Sequence, residues 1–203
     1  MKVIPKNDFY AGFLYAKFWD PVMKNTRALI AKQIPSRSTV IDVASGTGHQ
    51  LYSLASHIGR GVGLDLSDRM MRYAENEKFR YGCHNLSFEL GDASDLSRFT
   101  NGSFDISMAT LLFHEAPQEK RLSILLEMKR VSNMVIIADY TNQASFPRLL
   151  IDLMENTIGI SNSHHYKSYQ ENGGMPPLLK EAGLIIKTYE TALQGMLGIW
   201  SCK

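Results

Sequence analysis

The stretch Val40-Ile41-Asp42-Val43-Ala44-Ser45-Gly46-Thr47-Gly48-His49-Gln50 carries the most information in the chain. It begins as an apolar, β-branched run, the composition of a strand buried on both faces. It passes through small residues into a helical pattern over about 48–58. Gly46 and Gly48 permit a tight turn and a close approach of the backbone to a ligand. The helix that opens behind them presents unpaired N–H groups. Asp65 closes the next apolar run, Gly61-Val62-Gly63-Leu64-Asp65, 17 residues after Gly48. An acid at that place suits the two hydroxyls of a ribose. A turn that used glycine for geometry alone would not call for it.

Two residues narrow the choice of nucleoside. The dinucleotide fingerprint has a third glycine three residues after the second, and Leu51 stands there. A large side chain at that point fills space between helix and sheet. Asp42, at the tip of the first strand, sets an acid near the ligand. That is unfavourable for a diphosphate and favourable for a ligand carrying an ammonium or a sulfonium.

Working outward, Leu86-Ser87-Phe88-Glu89-Leu90, Phe104 to Ala109 and Met134 to Asp139 read as further strands. Ser67 is placed to cap a helix from Asp68 to about Lys78, and Pro117 to start one reaching Val131. Gly173-Gly174 introduces a short helix that ends at Gly183, a glycine suited to the left-handed turn after a helix. Leu184 to Glu190 and Met196 to Trp200 read as a closing hairpin. The β-α-β-α rhythm predicts an α/β fold: a Rossmann-like, seven-stranded, mostly parallel sheet with helices on both faces and a C-terminal antiparallel hairpin. One domain over 1–203 is expected. It divides into an N-terminal helical lid (1–38), a core (39–139), a lid insertion (140–172), and a last helix with the hairpin (173–203).

Composition bounds the function. The chain has 203 residues, 22 Lys and Arg against 20 Asp and Glu, and a formal charge of +2. That balance gives no electrostatic reason to expect a nucleic-acid partner. No apolar run reaches the ~18–20 residues of a membrane-spanning helix, and the N-terminus lacks the apolar core of a secretory signal. Cys83 and Cys202 form no Cys-x-x-Cys pair, so a reducing, cytoplasmic setting is expected.

With these residues in hand, the chain resembles class I S-adenosylmethionine (SAM)-dependent methyltransferases. Within them it is most similar to the small ubiquinone/menaquinone-biosynthesis (type 11) branch. Asp42-Val43-Ala44-Ser45-Gly46-Thr47-Gly48 is similar to the family's glycine motif, with Ala44 in place of the first glycine. Gly63-Leu64-Asp65-Leu66-Ser67 with Met70 resembles its second motif, and Gly91-Asp92-Ala93 its third. The resemblance implies that Asp65 holds the ribose, Leu66 packs on the adenine and Asp92 accepts from the adenine amino group. It also implies that Ala109 lies beside the methionine part of SAM. Asp92 could instead cap a helix near 94–98, and Ala109 could be plain packing. Asp105 reads as structural. The family usually has a Gly-Gly turn before its fifth strand, where Val131-Ser132-Asn133 stands here.

The expected activity is methyl transfer from SAM, with S-adenosylhomocysteine (SAH) as product, to a small, lipid-like or quinone-like acceptor. Such acceptors allow peripheral membrane contact; the oligomeric state is left open. In such a reaction the donor is already activated, so positioning does most of the work. A base is needed only where the acceptor must lose a proton. Four residues are candidates for the acceptor side: Tyr15 in an aromatic N-terminal helix, His114 after the fourth strand, and His165 and Tyr166 before Gly173-Gly174. His164-His165 lacks a third ligand at regular spacing, so no metal is expected. Phe146, Leu149, Leu150, Leu153 and Met154 recur at helical spacing and could line an apolar acceptor pocket. A SAM-binding regulatory or interaction module without turnover would show the same cofactor residues. A nicotinamide-dependent oxidoreductase fits less well, because of Leu51 and Asp42.

Overall fold

A computed structural model describes residues 22–142 and 163–203. Tyr15 and the apolar residues from Phe146 to Met154 lie outside these described residues. Among the described residues, the apolar runs become seven strands: β1 Thr39–Val43, β2 Arg60–Asp65, β3 Leu86–Leu90, β4 Phe104–Thr110, β5 Ser132–Tyr140, β6 Ile186–Ala192 and β7 Leu197–Cys202. They form one sheet in the order β3-β2-β1-β4-β5-β7-β6. Neighbours from β3 to β5 are parallel, and β7 runs antiparallel between β5 and β6. The α/β fold read from the sequence is therefore the one observed.

Among the described residues, six helices accompany the sheet: α1 Lys24–Lys32, α2 His49–Leu54, α3 Asp68–Tyr81, α4 Gln118–Val131, α5 Ser163–Glu171 and α6 Met175–Glu181. α2 packs against α1, α3 and β2, while α4 packs against β4, β5, α5 and α6. The apolar stripe of α4, Ile124, Leu125, Met128 and Val131, is buried on the sheet. Leu51 is fully buried between α2 and the sheet, filling space as its size implies. Asp105 is structural: its Oδ2 accepts from the N–H and the hydroxyl of Thr39 at 2.7 and 2.8 Å, joining the starts of β4 and β1. Gly183 has φ +64°, and the N–H groups of Gly183 and Leu184 donate to Lys180 and Leu179 carbonyls, closing α6 as expected.

Several boundaries differ. α2 stops at Leu54 and gives way to a turn, so the helix read to about residue 58 is shorter. No helix forms at 94–98, where Asp92 and Asp95 instead accept from Ser94 and Ser97 N–H in successive turns. No turn intervenes at Val131-Ser132-Asn133: α4 runs straight into β5. Ser132 Oγ lies 2.8 Å from the Met128 carbonyl and 2.8 Å from Ser107 Oγ, which ends the helix without glycine. The hairpin strands begin and end one to two residues later than their apolar content suggests.

Strand order reverses direction between β1 and β4. A crevice opens at such a switch point, beyond the carboxyl ends of the strands.

Candidate functional site

The glycine turn fills that crevice's floor. Gly46 has φ +53° and Gly48 φ +78°, and Gly48 caps α2. Their surroundings differ. A Cβ on Gly48 would stand 2.6 Å from two ring carbons of Phe88 and 3.2 Å from Tyr52, whereas one on Gly46 would meet nothing within 4 Å. Gly48→Ala is therefore expected to lose roughly 2–5 kcal/mol of stability, from left-handed strain and overpacking together. Gly46→Ala is expected to cost only about 1–2 kcal/mol, yet to block the cleft its Cβ would enter. Thermal melts with and without SAH separate the two: the first variant melts early, and the second melts near wild type but no longer responds to SAH. Ala44, standing where the family has glycine, takes φ +61°. The replacement thus carries a backbone cost of about 1 kcal/mol or more.

Asp65 locks the turn. Its Oδ2 accepts from Gly46 N–H at 3.0 Å and its Oδ1 from Ser67 N–H at 2.8 Å. Above the turn lies an open cleft. Its walls are Met23 and Arg27 from α1, Asp42 from β1, Ala44 to Thr47, His49 and Gln50, and Thr110 and Leu111 at the end of β4. Ser45 Oγ, both ends of the Gln50 amide and Thr110 Oγ1 are buried with no hydrogen-bond partner among the described residues. Buried polar atoms of this kind are costly unless something pairs with them. A polar ligand with donors and acceptors at one end fits the cleft. Asp42 is 2% exposed; burial pushes its carboxyl up to about 8, against Arg27, which lowers it, and with Asp65, which raises it.

The remaining expected cofactor residues, Leu66, Met70, Asp92, Ala93 and Ala109, are not among the residues that line this cleft. Leu66 is 67% exposed beside Asp65, free to cover a flat ring. Met70, Ala93 and Ala109 are buried in the core, and the wall at the end of β4 is Thr110 and Leu111. Asp92 does not line the cleft. Its Oδ1 accepts from the N–H and hydroxyl of Ser94, and its Oδ2 pairs with Lys120 at 2.7 Å. Burial pushes that carboxyl up, but the hydrogen bonds from Lys120 and Ser94 outweigh it and hold it below the usual range.

A second cluster lies past Leu111. His114, 3% exposed, sets Nδ1 2.7 Å from Asp139 Oδ1 at the end of β5. Its ring meets those of Tyr140, Tyr166 and Tyr169 edge-on at 4.6, 6.1 and 6.5 Å. His114 and Tyr166 are thus brought together. His165 is half-buried; its ring stacks on His164 and its carbonyl accepts from Arg121. Among the described residues, no group of three His, Cys, Asp or Glu is placed to hold a metal ion.

Asp139, Arg121, Arg27 and Gln50 were not singled out by sequence reasoning. Arg121 had a signal: a cation sitting on the apolar stripe of α4. Its guanidinium, 4% exposed, donates to Phe113, Ala116 and His165 carbonyls at 3.0, 3.1 and 2.6 Å. It lies 5.5 Å from the Tyr169 ring. It therefore ties the loop that carries His114 to α5. Arg121→Met is expected to cost roughly 2–4 kcal/mol. Urea titration reads that loss, and faster amide exchange in α5 shows where it falls.

The chain matches a family model described as a methyltransferase domain over residues 34–183. It belongs to the methyltransferase-domain family. Among curated relatives it is 36% identical over 84 residues to a nocamycin O-methyltransferase of Saccharothrix syringae. That match takes in 38% of this chain and 30% of the relative's length. Among solved structures, a SAM-dependent methyltransferase from Aquifex aeolicus superposes with TM-score 0.70 at 18% identity, over 95% of this chain and 98% of that one. The [4+2]-cyclase SpnF superposes with TM-score 0.68 at 15% identity, over 91% and 81%. At these identities the superpositions describe the fold, and the second neighbour's reaction is a cyclisation.

Proposed function

We propose that this chain is a SAM-dependent methyltransferase acting on a small molecule. One observation carries the reading: a cleft at the strand-order switch whose turn is held by Asp65, lined by buried polar groups that await partners. Asp65 would hold the ribose, and Leu66 would cover the adenine. Asp42, Gln50 and Thr110 would hold the amino-acid end. When bound, SAM supplies a methyl group already activated on a sulfonium. The chain's task is then to orient the acceptor and exclude water. The flanks, 1–38 and 140–172, are the candidate walls for a lipid-like or quinone-like acceptor. No helix among the described residues is long and apolar enough to cross a membrane. A reducing, cytoplasmic setting fits the two free, buried thiols of Cys83 and Cys202.

The test is thermal stability with SAH or NAD, followed by transfer of labelled methyl from SAM to a panel of small acceptors. Stabilisation by SAH with labelled product supports the reading; stabilisation by NAD alone overturns it. The same cleft would serve a second reading, SAM binding without methyl transfer. SAH stabilisation with no labelled product from any acceptor would select that reading.

A further inference from the structure

We propose that Leu111, together with Met23, forms an apolar collar around the sulfur of the bound cofactor and so selects a sulfur-linked nucleoside over one with a polar group at that place. The inference rests on the SAM reading above and names the residues that recognise the middle of that ligand. Leu111 has φ +58°, in the left-handed region. For a residue with a large side chain that conformation is costly, because Cβ crowds the following carbonyl oxygen. Its neighbours over-determine it. Thr110 still pairs with Ala138 in the sheet, and the Leu111 N–H donates to the Ala138 carbonyl at 2.8 Å. Just beyond, the Phe113 N–H donates to Asp139 Oδ2 at 2.7 Å, and the Leu112 carbonyl accepts from Glu115 and Ala116 N–H at 3.1 and 3.0 Å. The chain must leave β4 and turn within these anchors, and the strain falls on Leu111.

The strained residue stands in the cleft wall. Glycine apart, Leu111 and Ala44 are the left-handed residues among those that line it. Leu111 and Met23 are also its large apolar residues; every other lining residue is polar, charged or small. The two come from separate elements, Met23 from the start of α1 and Leu111 from the end of β4. Met23 is buried, and Leu111 is half-buried and packs in part on the core. Core packing alone is a weak reason for a leucine here, since glycine or asparagine takes a left-handed turn at lower cost. An apolar side chain held there against strain is explained by what the cleft receives.

SAM is polar at both ends. The ribose belongs beside Asp65, and the amino-acid end beside Asp42, Gln50 and Thr110. Between them lies the sulfur with its methyl and methylene arms, the one stretch that carries no hydrogen-bonding group. Its positive charge is met through space by the Asp42 carboxylate. Its carbons gain from apolar contact and nothing from polar walls. Leu111 directly follows Thr110, which sets it next to the amino-acid end, and Met23 adds a polarisable thioether. A polar atom in place of the sulfur would be stripped of water inside the collar with nothing to pair with. The same collar keeps water from the reacting carbon.

Calorimetry with three ligands tests the collar. SAH has a thioether at its centre, sinefungin has an amine-bearing carbon in place of the sulfur, and adenosine lacks the centre and the amino-acid end. Leu111→Asn keeps the size of the side chain, suits a left-handed residue and makes the wall polar. It should weaken SAH binding roughly tenfold or more, weaken sinefungin less than about threefold, and leave adenosine unchanged. Met23→Gln should move the ratio of SAH to sinefungin affinity in the same direction. Thermal melts read the strain. Leu111→Gly should melt about 2–4 °C above Leu111→Ala, since both lack the side chain and only glycine is relaxed there. An equal loss for SAH and sinefungin, a matching loss for adenosine, or a glycine variant that melts no higher than the alanine one would each overturn the inference. A wild type that binds neither SAH nor sinefungin removes the SAM reading and the collar with it. A wild type that binds SAH, with a ratio that Leu111→Asn leaves unmoved, removes the collar alone.

Discussion

Asp65→Ala is expected to lower the affinity for SAH at least about 100-fold. The carboxylate offers about four lone-pair sites. Two are used by the N–H groups of Gly46 and Ser67. Its place beside the glycine turn sets this acceptor-only group where the two hydroxyls of a ribose would donate. Each hydrogen bond to a charged group is worth roughly 1.5–3 kcal/mol, so losing two multiplies the dissociation constant by about 10² to 10⁴. Alanine also releases Gly46 N–H, loosening the turn that faces the ligand. Asp65→Asn keeps one accepting oxygen and should fall between. At a hundredfold excess over its dissociation constant, a ligand adds about 2.7 kcal/mol of stability. In a chain of this size that is roughly 5–10 °C in Tm. Asp65→Ala should lose nearly all of that gain, and its cofactor-free melting point should also fall, because the N–H groups of Gly46 and Ser67 lose their acceptor. An undiminished response to SAH in this variant would remove Asp65 from the site.

The place of Asp65, at the end of β2 beside the glycine turn, was legible in the sequence. A strand must end before the crevice, and an acid at that end, one strand over from a glycine turn, has few other uses. The strands were legible for a similar reason. Each is a short apolar run bounded by turn residues, and a sheet covered on both faces needs such runs. Asp139 was not legible. Locally it is the penultimate residue of an apolar strand. Only the pairing of β4 with β5 brings its carboxyl back to the N–H groups of Phe113 and His114, 26 and 25 residues earlier. Gln50 was equally silent, since its interest lies in burial without a partner among the described residues. The Asp92 region misled because an acid before a polar segment is also a helix start. Here the serines of Ser94 and Ser97 capture the carboxylates of Asp92 and Asp95, and the backbone turns instead. At Ser132 a hydroxyl took over the work of the family's glycine pair, so the missing glycines mark a direct helix-to-strand joint.

SAM binding is expected to strengthen as pH rises toward about 8, and Asp42→Asn is expected to remove that dependence. Burial pushes the Asp42 carboxyl up to about 8 in the cofactor-free protein, so at neutral pH it is largely protonated. A ligand bearing a sulfonium and an ammonium favours the ionised carboxylate. Binding below pH 8 must therefore expel a proton, and affinity should change by roughly tenfold per pH unit there. The ligand's own amino group titrates nearby, with a pKa near 8. The informative quantity is thus the ratio of wild type to Asp42→Asn, since both share that ligand titration. Asparagine resembles the protonated acid, so the two proteins should bind alike at pH 6 and diverge as pH rises. Calorimetry in buffers of different ionisation heat should also find proton release in the wild type at pH 6–7 that the variant lacks. A ratio that stays flat from pH 6 to 8 would rule out Asp42 as the ligand's counter-charge. For the cofactor-free fold the sign reverses. A carboxyl raised in the folded state stabilises it below about pH 4, and that contribution is lost as pH climbs to about 8. Asp42→Asn should therefore gain in Tm over wild type across that window, while losing cofactor affinity at its upper end. The opposed signs separate a residue kept for its ligand from one kept for the fold.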